Sequence, residues 1–275
     1  MKPDWLQIHR GDAPLIVSFP HTGTDIPTDI DERLVSPWLG RKDADWWVDL
    51  LYDFAQGLGA TTVRTCVSRT VIDVNRDPSG ISLYPGQATT ELCPTTTFDG
   101  EALYLEGPPD ADEIAARREE FFAPYHHALA EQIARLRRLH PKVVLYDAHS
   151  IRSVVPRLFD GELLNFNIGT NGGLTCAPEL TTAIEAICDR SGFSRITNGR
   201  FKGGWTTRHY GQPGDGVHAI QMELACRGYM DEPLALPHHG DWPTPYDPDK
   251  AAAMRSALTH ILTACIDFAA KEPSQ

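Results

Sequence analysis

Four polar positions in this sequence each follow or end a short apolar run, and together they contain the residue types of a hydrolytic metal centre. They are His21, the pair Asn75 and Arg76, His149 and Glu223. Two histidines and a carboxylate are common ligands of a catalytic zinc ion, which keeps a fourth position for water. A further carboxylate can act as general base, because the metal lowers the pKa of that water to roughly 7. Taken singly, each residue has a plainer interpretation, since a histidine at a strand end can simply form a hydrogen bond.

The third ligand is predicted to come from the segment that follows His21. Residues 43–59 have apolar side chains at helical spacing, Asp43 can cap the helix start, and Gly59 can end it. Extending the apolar face back by one turn reaches Asp43 rather than Asp45. Helical phase therefore favours Asp43 as a carboxylate aimed at a buried site, and the alternative is that Asp43 only caps the helix.

An anionic substrate is suggested by arginines near these positions. Guanidinium groups bind carboxylates through two parallel hydrogen bonds, and a protein of net charge −12 needs such local positive groups to bind an anion. The candidates are Arg69, Arg76, Arg152 and Arg208. For any one of them the alternative is an ordinary surface ion pair, and this alternative weighs most for Arg69 and Arg152.

The elements that must position these residues alternate between strands and helices. Apolar or β-branched runs predict strands at 14–19, 61–67, 70–74, 143–147, 163–169 and 217–224. Amphipathic patterns predict helices at 43–59, 110–139 with a kink at Pro124, 178–188 and 249–270. This pattern indicates an α/β fold, in which ligands bind beyond the carboxyl ends of the parallel strands.

Two segments lack regular periodicity. Residues 78–109 are rich in Gly, Pro and Thr and are too long for a simple connection, which predicts a functional excursion with short strands. Residues 198–211 are polar and Gly-rich, as in loops that carry function. The sequence contains no clear linker and no internal repeat, so residues 1–275 are predicted to form a single domain.

Composition excludes several classes of protein. The chain is 41% hydrophobic and 23% charged, which is typical of a globular protein, and it has no run of Lys and Arg. Nucleic acid and anionic membranes are therefore not expected as partners. The six cysteines form no CxxC pair, the first residues lack the apolar core of a signal peptide, and no apolar stretch approaches the ~20 residues of a membrane span. A soluble cytoplasmic protein is expected.

Five blocks of the sequence, in the same order, resemble the N-formylglutamate deformylase (N-formylglutamate amidohydrolase) family. They are residues 18–23 (Ser-Phe-Pro-His-Thr-Gly), 68–76 (Ser-Arg-Thr-Val-Ile-Asp-Val-Asn-Arg), 147–153 (Asp-Ala-His-Ser-Ile-Arg-Ser), 198–204 (Asn-Gly-Arg-Phe-Lys-Gly-Gly) and 221–224 (Gln-Met-Glu-Leu). The resemblance implies a fold similar to the zinc carboxypeptidases, with a mixed, mostly parallel central sheet flanked by helices and zinc at the strand ends.

The resemblance also implies roles for individual residues. His21 and His149 would be zinc ligands, Glu223 the base, and Asn75 with Arg76 the pair that holds the substrate α-carboxylate. The family has aspartate at the positions of both Asp43 and Asp45, and helical phase selects Asp43. Another divalent first-row ion could replace zinc, because such a ligand set suits several of them.

The implied reaction is hydrolysis of N-formyl-L-glutamate to formate and L-glutamate, the last step of one bacterial route of histidine degradation. Arg208 or Arg69 would bind the side-chain carboxylate or stabilise the oxyanion. Two alternatives stay open: a related zinc amidohydrolase or carboxypeptidase acting on another N-acyl amino acid, and a non-catalytic protein that binds anionic solutes. The sequence leaves open the roles of His126 and Asp147, the latter being either an orienting partner of His149 or a partner of Arg152, and it does not predict the oligomeric state.

Overall fold

One mixed seven-stranded sheet lies at the centre of the protein. The computed structural model describes residues 4–233 and 238–271. The strands are β1 (Leu6–His9), β2 (Leu15–Phe19), β3 (Thr61–Thr65), β4 (Val143–Ile151), β5 (Phe166–Gly169), β6 (Arg195–Thr197) and β7 (Val217–Ala225). Their order across the sheet is β1-β3-β2-β4-β7-β5-β6. Strands β3, β2, β4 and β7 are parallel to one another, whereas β1 and β5 run antiparallel to β3 and β7.

The two central strands, β4 and β7, set the geometry of the site. All nine residues of each strand are buried, as expected for a parallel sheet covered on both faces. Their parallel register pairs Asp147 with Gln221 and His149 with Glu223. Because side chains alternate between the two faces of a strand, these four residues point to the same face and form two adjacent rows.

Helices cover both faces of the sheet. They are α1 (Thr28–Asp31), α2 (Val48–Leu51), α3 (Ala111–Arg117), α4 (Ala123–Arg137), α5 (Pro178–Arg190), α6 (Trp205–Tyr210) and α7 (Pro248–Ala270). Apolar side chains of α2, α5 and α7 pack in one core with even-numbered residues of β4, and those of α4 pack in a second core with odd-numbered ones. Among the residues that the structure describes, no helix is both long and apolar enough to cross a bilayer.

The predicted fold class is confirmed, and so are most of its elements. The strands predicted at 14–19, 61–67, 143–147, 163–169 and 217–224 and the helices predicted at 178–188 and 249–270 are present with shifted ends. Strands β1 and β6 and helices α1 and α6 were not predicted. Both strands are short and lie at the edges of the sheet, where half-exposed residues give a weak pattern.

The strand predicted at 70–74 is wrong. This segment forms turns, although Val71, Ile72 and Val74 are as buried as strand residues. A β-branched run indicates burial, and burial here comes from packing in the core beside α4 rather than from strand pairing. The turns carry Asp73 and Asn75 towards the two histidines.

The helix predicted at 43–59 begins later and is irregular. It starts at Val48, because Trp47 has a left-handed backbone (φ 63°) that interrupts a helix. A 3₁₀ segment, Asp53–Leu58, follows α2. Gly59 ends it with a left-handed backbone (φ 74°), which glycine adopts readily, as predicted from the sequence. Asp43 therefore caps no helix.

The helix predicted at 110–139 is divided into α3, a π-helical turn (Arg118–Phe122) and α4. Asp110 caps α3 by accepting a hydrogen bond from the Glu113 amide. Pro124 lies in the first turn of α4, directly after the π turn, so the interruption falls where the kink was predicted. The excursion at 78–109 contains only isolated bridges, such as Thr96 with Ala102, and no regular strand.

Candidate active site

The carboxyl ends of β2 and β4 bring His21 and His149 together, and Asp45 joins them. The two imidazole rings lie 4.8 Å apart between centroids. Asp45 Oδ2 is 3.1 Å from His149 Nδ1 and 3.6 Å from His21 Nδ1, and all three residues are buried. The Asp45 amide donates a hydrogen bond to the His21 carbonyl (2.9 Å), which fixes the loop that carries Asp45.

This group fits a divalent metal ion. His21 Nδ1 and Asp45 Oδ1 are buried and have no hydrogen-bond partner within the described chain. Ligand bonds of about 2.0–2.1 Å around a tetrahedral ion would place the ligand atoms about 3.3 Å apart. The separations of 3.1 and 3.6 Å around Asp45 Oδ2 lie on either side of this value. Two nitrogens and a carboxylate oxygen suit zinc and other first-row ions.

Each histidine is held through its other ring nitrogen by a second carboxylate. His21 Nε2 lies 2.7 Å from Asp73 Oδ1, and His149 Nε2 lies 3.0 Å from Asp147 Oδ2. When each Nε2–H donates to its carboxylate, the Nδ1 lone pair faces Asp45 and is available to a metal. Of the two roles left open for Asp147, the structure therefore places it on the imidazole.

Asp43 does not join the histidines. Its Oδ2 accepts a hydrogen bond from the Phe98 amide (2.6 Å), and burial raises its pKa to about 6. The argument from helical phase is wrong because residues 43–47 form turns, so the position of Asp43 does not follow from the apolar face of a helix. The turn directs Asp45 to the histidines instead.

Glu223 lies beside His149 on the neighbouring strand. Its Oε2 accepts a hydrogen bond from Gln221 Nε2 (3.0 Å), and Gln221 Oε1 accepts one from the Gly204 amide (2.6 Å). Burial raises the pKa of Glu223 to about 7. A carboxyl group with this pKa can both take up and release a proton near neutral pH.

Arg69 and Arg76 both lie at the cleft above this group. Arg69 is buried, donates from Nη2 to Asp73 Oδ2 (2.6 Å), and has its guanidinium 4.8 Å from the centre of the Phe98 ring. Arg69 therefore forms a buried ion pair with Asp73, not the surface ion pair that was the alternative from sequence. Arg76 donates from Nε to the carbonyl and from Nη2 to the hydroxyl of Thr90 (3.1 Å each), and its Nη2 is 3.7 Å from Asp73 Oδ2.

Both polar atoms of the Asn75 side chain contact other groups of the protein. Its Nδ2 donates to Asp147 Oδ2 (3.0 Å) and contacts His149 Nε2 (2.9 Å), while its Oδ1 accepts from the Thr206 amide (2.8 Å). Gly204 lies so close that a Cβ there would be 2.5 Å from the Asn75 amide nitrogen. The Asn75 side-chain amide therefore holds the Asp147–His149 pair in place.

The remaining predicted arginines lie elsewhere. Arg152 donates to Asp99 (2.6 Å). Arg208 donates to the carbonyls of Gly203 and Leu83 and lies over the Tyr84 ring, and it does not line the cleft. The cleft is lined by His21, Arg69, Asn75, Arg76, His149 and Glu223 together with residues of the excursion and of the 198–204 segment.

Three residues of this site were not predicted from sequence. Asp73, Arg200 and Gln221 lie within the five sequence blocks but had no proposed role. Asp73 accepts hydrogen bonds from the His21 ring, the Arg69 guanidinium and the backbone amide of Asn75. Although burial opposes it, the charges of Arg76, His21 and Arg69 hold the pKa of Asp73 well below its usual range. An acidic residue inside an apolar run was the available signal, because a buried carboxylate needs partners.

The fold and the site together define an α/β protein with a buried His-Asp-His group at the carboxyl ends of its parallel strands, the edge at which α/β proteins bind their ligands. The chain belongs to the N-formylglutamate amidohydrolase family, whose model matches residues 13–230.

Relatives match over almost the whole chain. It is 46% identical to an N-formylglutamate deformylase of Pseudomonas aeruginosa over 94% of both chains, and 41% identical to one of Pseudomonas putida over 97% of both. The crystal structure of an N-formylglutamate amidohydrolase from Ralstonia eutropha JMP134 has the same fold, with a TM-score of 0.77, 23% identity, and 96% of this chain and 97% of the other covered.

Proposed function

We propose that this protein hydrolyses the formamide bond of N-formyl-L-glutamate to formate and L-glutamate, with a divalent metal held by His21, Asp45 and His149. The observation that carries the proposal is the buried His-Asp-His group beside Glu223, in a chain whose relatives at 46% and 41% identity are N-formylglutamate deformylases. Asp45 replaces Asp43 in the ligand set, because its carboxylate is the one that meets both imidazoles.

The residues around the metal position would hold it in a fixed geometry. Asp73 and Asp147 orient the two imidazoles, and Asn75 holds Asp147. Bound there, a divalent ion would supply Lewis acidity to the formyl oxygen and to the attacking water. Zinc is the expected ion, and other first-row ions are compatible with the same ligands.

Glu223 is proposed as the general base. It accepts a proton from the water that attacks the formyl carbon, and it then delivers this proton to the amide nitrogen as the C–N bond breaks. Its hydrogen bond to Gln221 fixes one carboxyl oxygen, and the residue lines the cleft. A base with a pKa near the working pH is the most efficient, and burial raises the pKa of Glu223 towards that value.

The arginines are proposed to hold the anionic groups. Arg76 would bind the α-carboxylate, and Arg69, which lines the cleft beside the proposed metal ligand Asp45, would stabilise negative charge on the formyl oxygen. Buried guanidinium groups discriminate strongly, since a substrate that lacks a carboxylate leaves one unpaired.

The test is formate release by purified protein that has been stripped of metal and reloaded with Zn²⁺, Mn²⁺, Co²⁺ or Fe²⁺. We expect negligible turnover of N-formyl-L-glutamate after chelation and recovery with one or more of these ions. N-formyl-L-glutamine and N-acetyl-L-glutamate serve as comparison substrates. Equal rates on all three would replace selective deformylation by a broader N-acyl amino acid hydrolase. Binding of the substrate with no turnover under any metal would support a non-catalytic solute-binding protein instead.

A further inference from the structure

The Arg200 side chain is a half-buried cation at the cleft that lacks a carboxylate partner. Arg200 Nε donates to the Leu158 carbonyl and Nη2 to the Ala88 carbonyl, at 2.8 Å each. In the part of the chain that the structure describes, no Asp or Glu oxygen lies within ion-pair distance of it. Both hydrogen bonds are to neutral carbonyls, and the Glu223 carboxylate acts on Arg200 electrostatically without forming an ion pair, so no carboxylate of the described residues binds this guanidinium directly.

Aromatic rings restrict the position of this guanidinium. It lies 5.4 Å from the centre of the Tyr84 ring and 5.5 Å from that of Phe201, and both rings also line the cleft. The rings and the two carbonyls leave Nη1 without a hydrogen bond among the described residues. A pre-positioned guanidinium loses little entropy when it binds an anion, which favours tight and selective recognition.

Arg76 lies near Arg200 but is closer to the candidate metal centre. Arg76 binds Thr90 and Arg200 binds Ala88, so the two guanidinium groups hold neighbouring parts of one loop. Arg76 is 3.7 Å from Asp73, which in turn holds His21, whereas Arg200 contacts none of the residues that hold the histidines. The carboxylate nearest the scissile formamide, on the carbon that bears its nitrogen, would thus fall to Arg76, and a more distant carboxylate to Arg200.

We infer that Arg200 binds the side-chain carboxylate of the substrate and determines selectivity for a dicarboxylic N-formyl amino acid. This inference rests on the proposed deformylase function. It also gives a different role to Arg208, which with Arg69 was one of the two sequence candidates for this carboxylate. The Arg208 guanidinium lies 5.0 Å from the centre of the Tyr84 ring, which Arg200 also contacts, and so it supports that ring.

The test compares N-formyl-L-glutamate with N-formyl-L-glutamine, which has the same shape without the charge. In the unmodified enzyme we expect kcat/KM to favour the glutamate substrate by about 10³-fold, as for sites that leave a buried polar group unpaired with the wrong substrate. Arg200→Met should lower kcat/KM for the glutamate substrate by about 10²-fold or more, mainly through KM, and change that for glutamine by less than about threefold. Arg200→Lys should restore part of the preference, because it keeps the charge but loses the planar fork.

The control is Arg157→Met. Arg157 is exposed, donates to the Thr97 carbonyl and does not line the cleft, so the glutamate preference should persist in that variant. Retention of the preference in Arg200→Met would overturn the inference. Its loss in Arg208→Met, with Arg200→Met unaffected, would also overturn it and assign the carboxylate to Arg208.

A binding measurement separates this inference from the proposed reaction. Calorimetric titration with L-glutamate and L-glutamine needs no turnover. If the metal-loaded protein releases no formate, the proposed function fails. A preference for L-glutamate that disappears in Arg200→Met would then still support the carboxylate site, and equal binding of the two amino acids by the unmodified protein would refute it. Thermal melting of each variant checks that it is folded, and Arg200→Gln replaces the methionine variant if that one is not.

Discussion

Asp43 and Asp45 are two residues apart and belong to two buried groups of different character. Asp45 contacts His21 and His149. Asp43 binds the Phe98 amide next to a charge network made of Lys42, Asp99 and Arg152. In the charge network, two protein cations pair with two carboxylates: Asp99 binds both cations, and Glu101 also binds Lys42. In the group around Asp45, ring nitrogens and carboxylate oxygens face one another, and a proton or a metal ion is needed between them.

The difference shows how a buried polar cluster can be recognised as a binding site. The charge network contains its own cations and ties the loop that carries Phe98 to the rest of the protein. The group around Asp45 lacks a cation of its own at its centre, although Arg69 lies 3.7 Å from one oxygen of Asp45. Among the described residues, unpaired buried carboxylate oxygens occur on Asp43 and Asp99 as well as on Asp45, so they do not by themselves identify a binding site. The Asp45 group differs because two imidazoles converge on its carboxylate, and one of their nitrogens, His21 Nδ1, is also buried without a hydrogen-bond partner in the described chain.

The largest expected effect comes from changing these two aspartates in turn. Asp45→Asn should lose bound metal and lower kcat/KM on the order of 10⁴-fold, because the Lewis acid contributes several kcal/mol to transition-state stabilisation. Asp43→Asn is the matched control and should keep one metal ion per chain, because Asp43 contacts Phe98 and neither histidine. Elemental analysis and formate release measure both. Metal loss in Asp43→Asn with full occupancy in Asp45→Asn would reverse the assignment.

A smaller but still large effect is expected at Glu223. Glu223→Gln should lower kcat by about 10³-fold, within the range of general acid–base catalysis, and should leave metal content unchanged. His149→Ala should lose the metal. Metal content therefore distinguishes the variant of a ligand, His149→Ala, from the variant of the base, Glu223→Gln. Glu185→Gln on α5 is the control, since Glu185 pairs with Arg195 far along the sheet from the cleft. Normal turnover by Glu223→Gln would remove Glu223 from the proposed mechanism.

The fold and part of the site could be predicted because they depend on local patterns. The apolar run from Val143 to Tyr146 predicted a buried strand, and this strand placed His149 near the carboxyl edge of the sheet. Glu223 followed from alternation within β7 in the same way. A strand-end side chain can be placed from sequence because strand direction and side-chain period are fixed by backbone geometry.

The rest depended on contacts between distant segments. Asp45 is selected over Asp43 by a left-handed residue at Trp47 and by the hydrogen bond from the Asp45 amide to His21. Neither feature leaves a periodic signal. The segment around Asp73 looked like a strand because its side chains are buried, although its backbone turns. Arg200 could not be distinguished from Arg208 by residue type, and only their positions relative to the cleft separate them.

Breaking the charge network should affect stability and leave the metal in place. Asp99→Asn leaves the buried Arg152 without a carboxylate partner, while Lys42 keeps Glu101, and we expect the free energy of unfolding to fall by about 3 kcal/mol. Asp31→Asn removes a half-exposed partner of Arg41 and should cost less than about 1 kcal/mol. Urea unfolding measures the free energies. Loss of metal from folded Asp99→Asn would mean that the two buried groups are not separate.

The smallest expected effect is a pH dependence of the metal-free protein. Burial by itself would lower the pKa of His149, but the carboxylates of Asp147 and Asp45 outweigh it and raise this pKa well above its ordinary value of 6.5. The folded state then keeps a proton that the unfolded state loses above pH 6.5. Stability from this group is complete below that pH and falls as the pH rises, by up to about 1.4 kcal/mol per pH unit.

The useful window is roughly pH 7.5 to 8.5, above the raised pKa of Glu223 and where the other shifted histidines contribute little. Burial lowers the pKa of His126 to about 3 and of His218 to about 4, so the stability linked to them is lost only as the pH falls below 6.5. Urea unfolding of chelated protein should show the decline, and His149→Gln should flatten it. Saturating Zn²⁺ should reverse the slope, because metal binding displaces the proton and strengthens as the pH rises. A slope that Zn²⁺ does not alter would place the proton, and the metal, away from the group around Asp45.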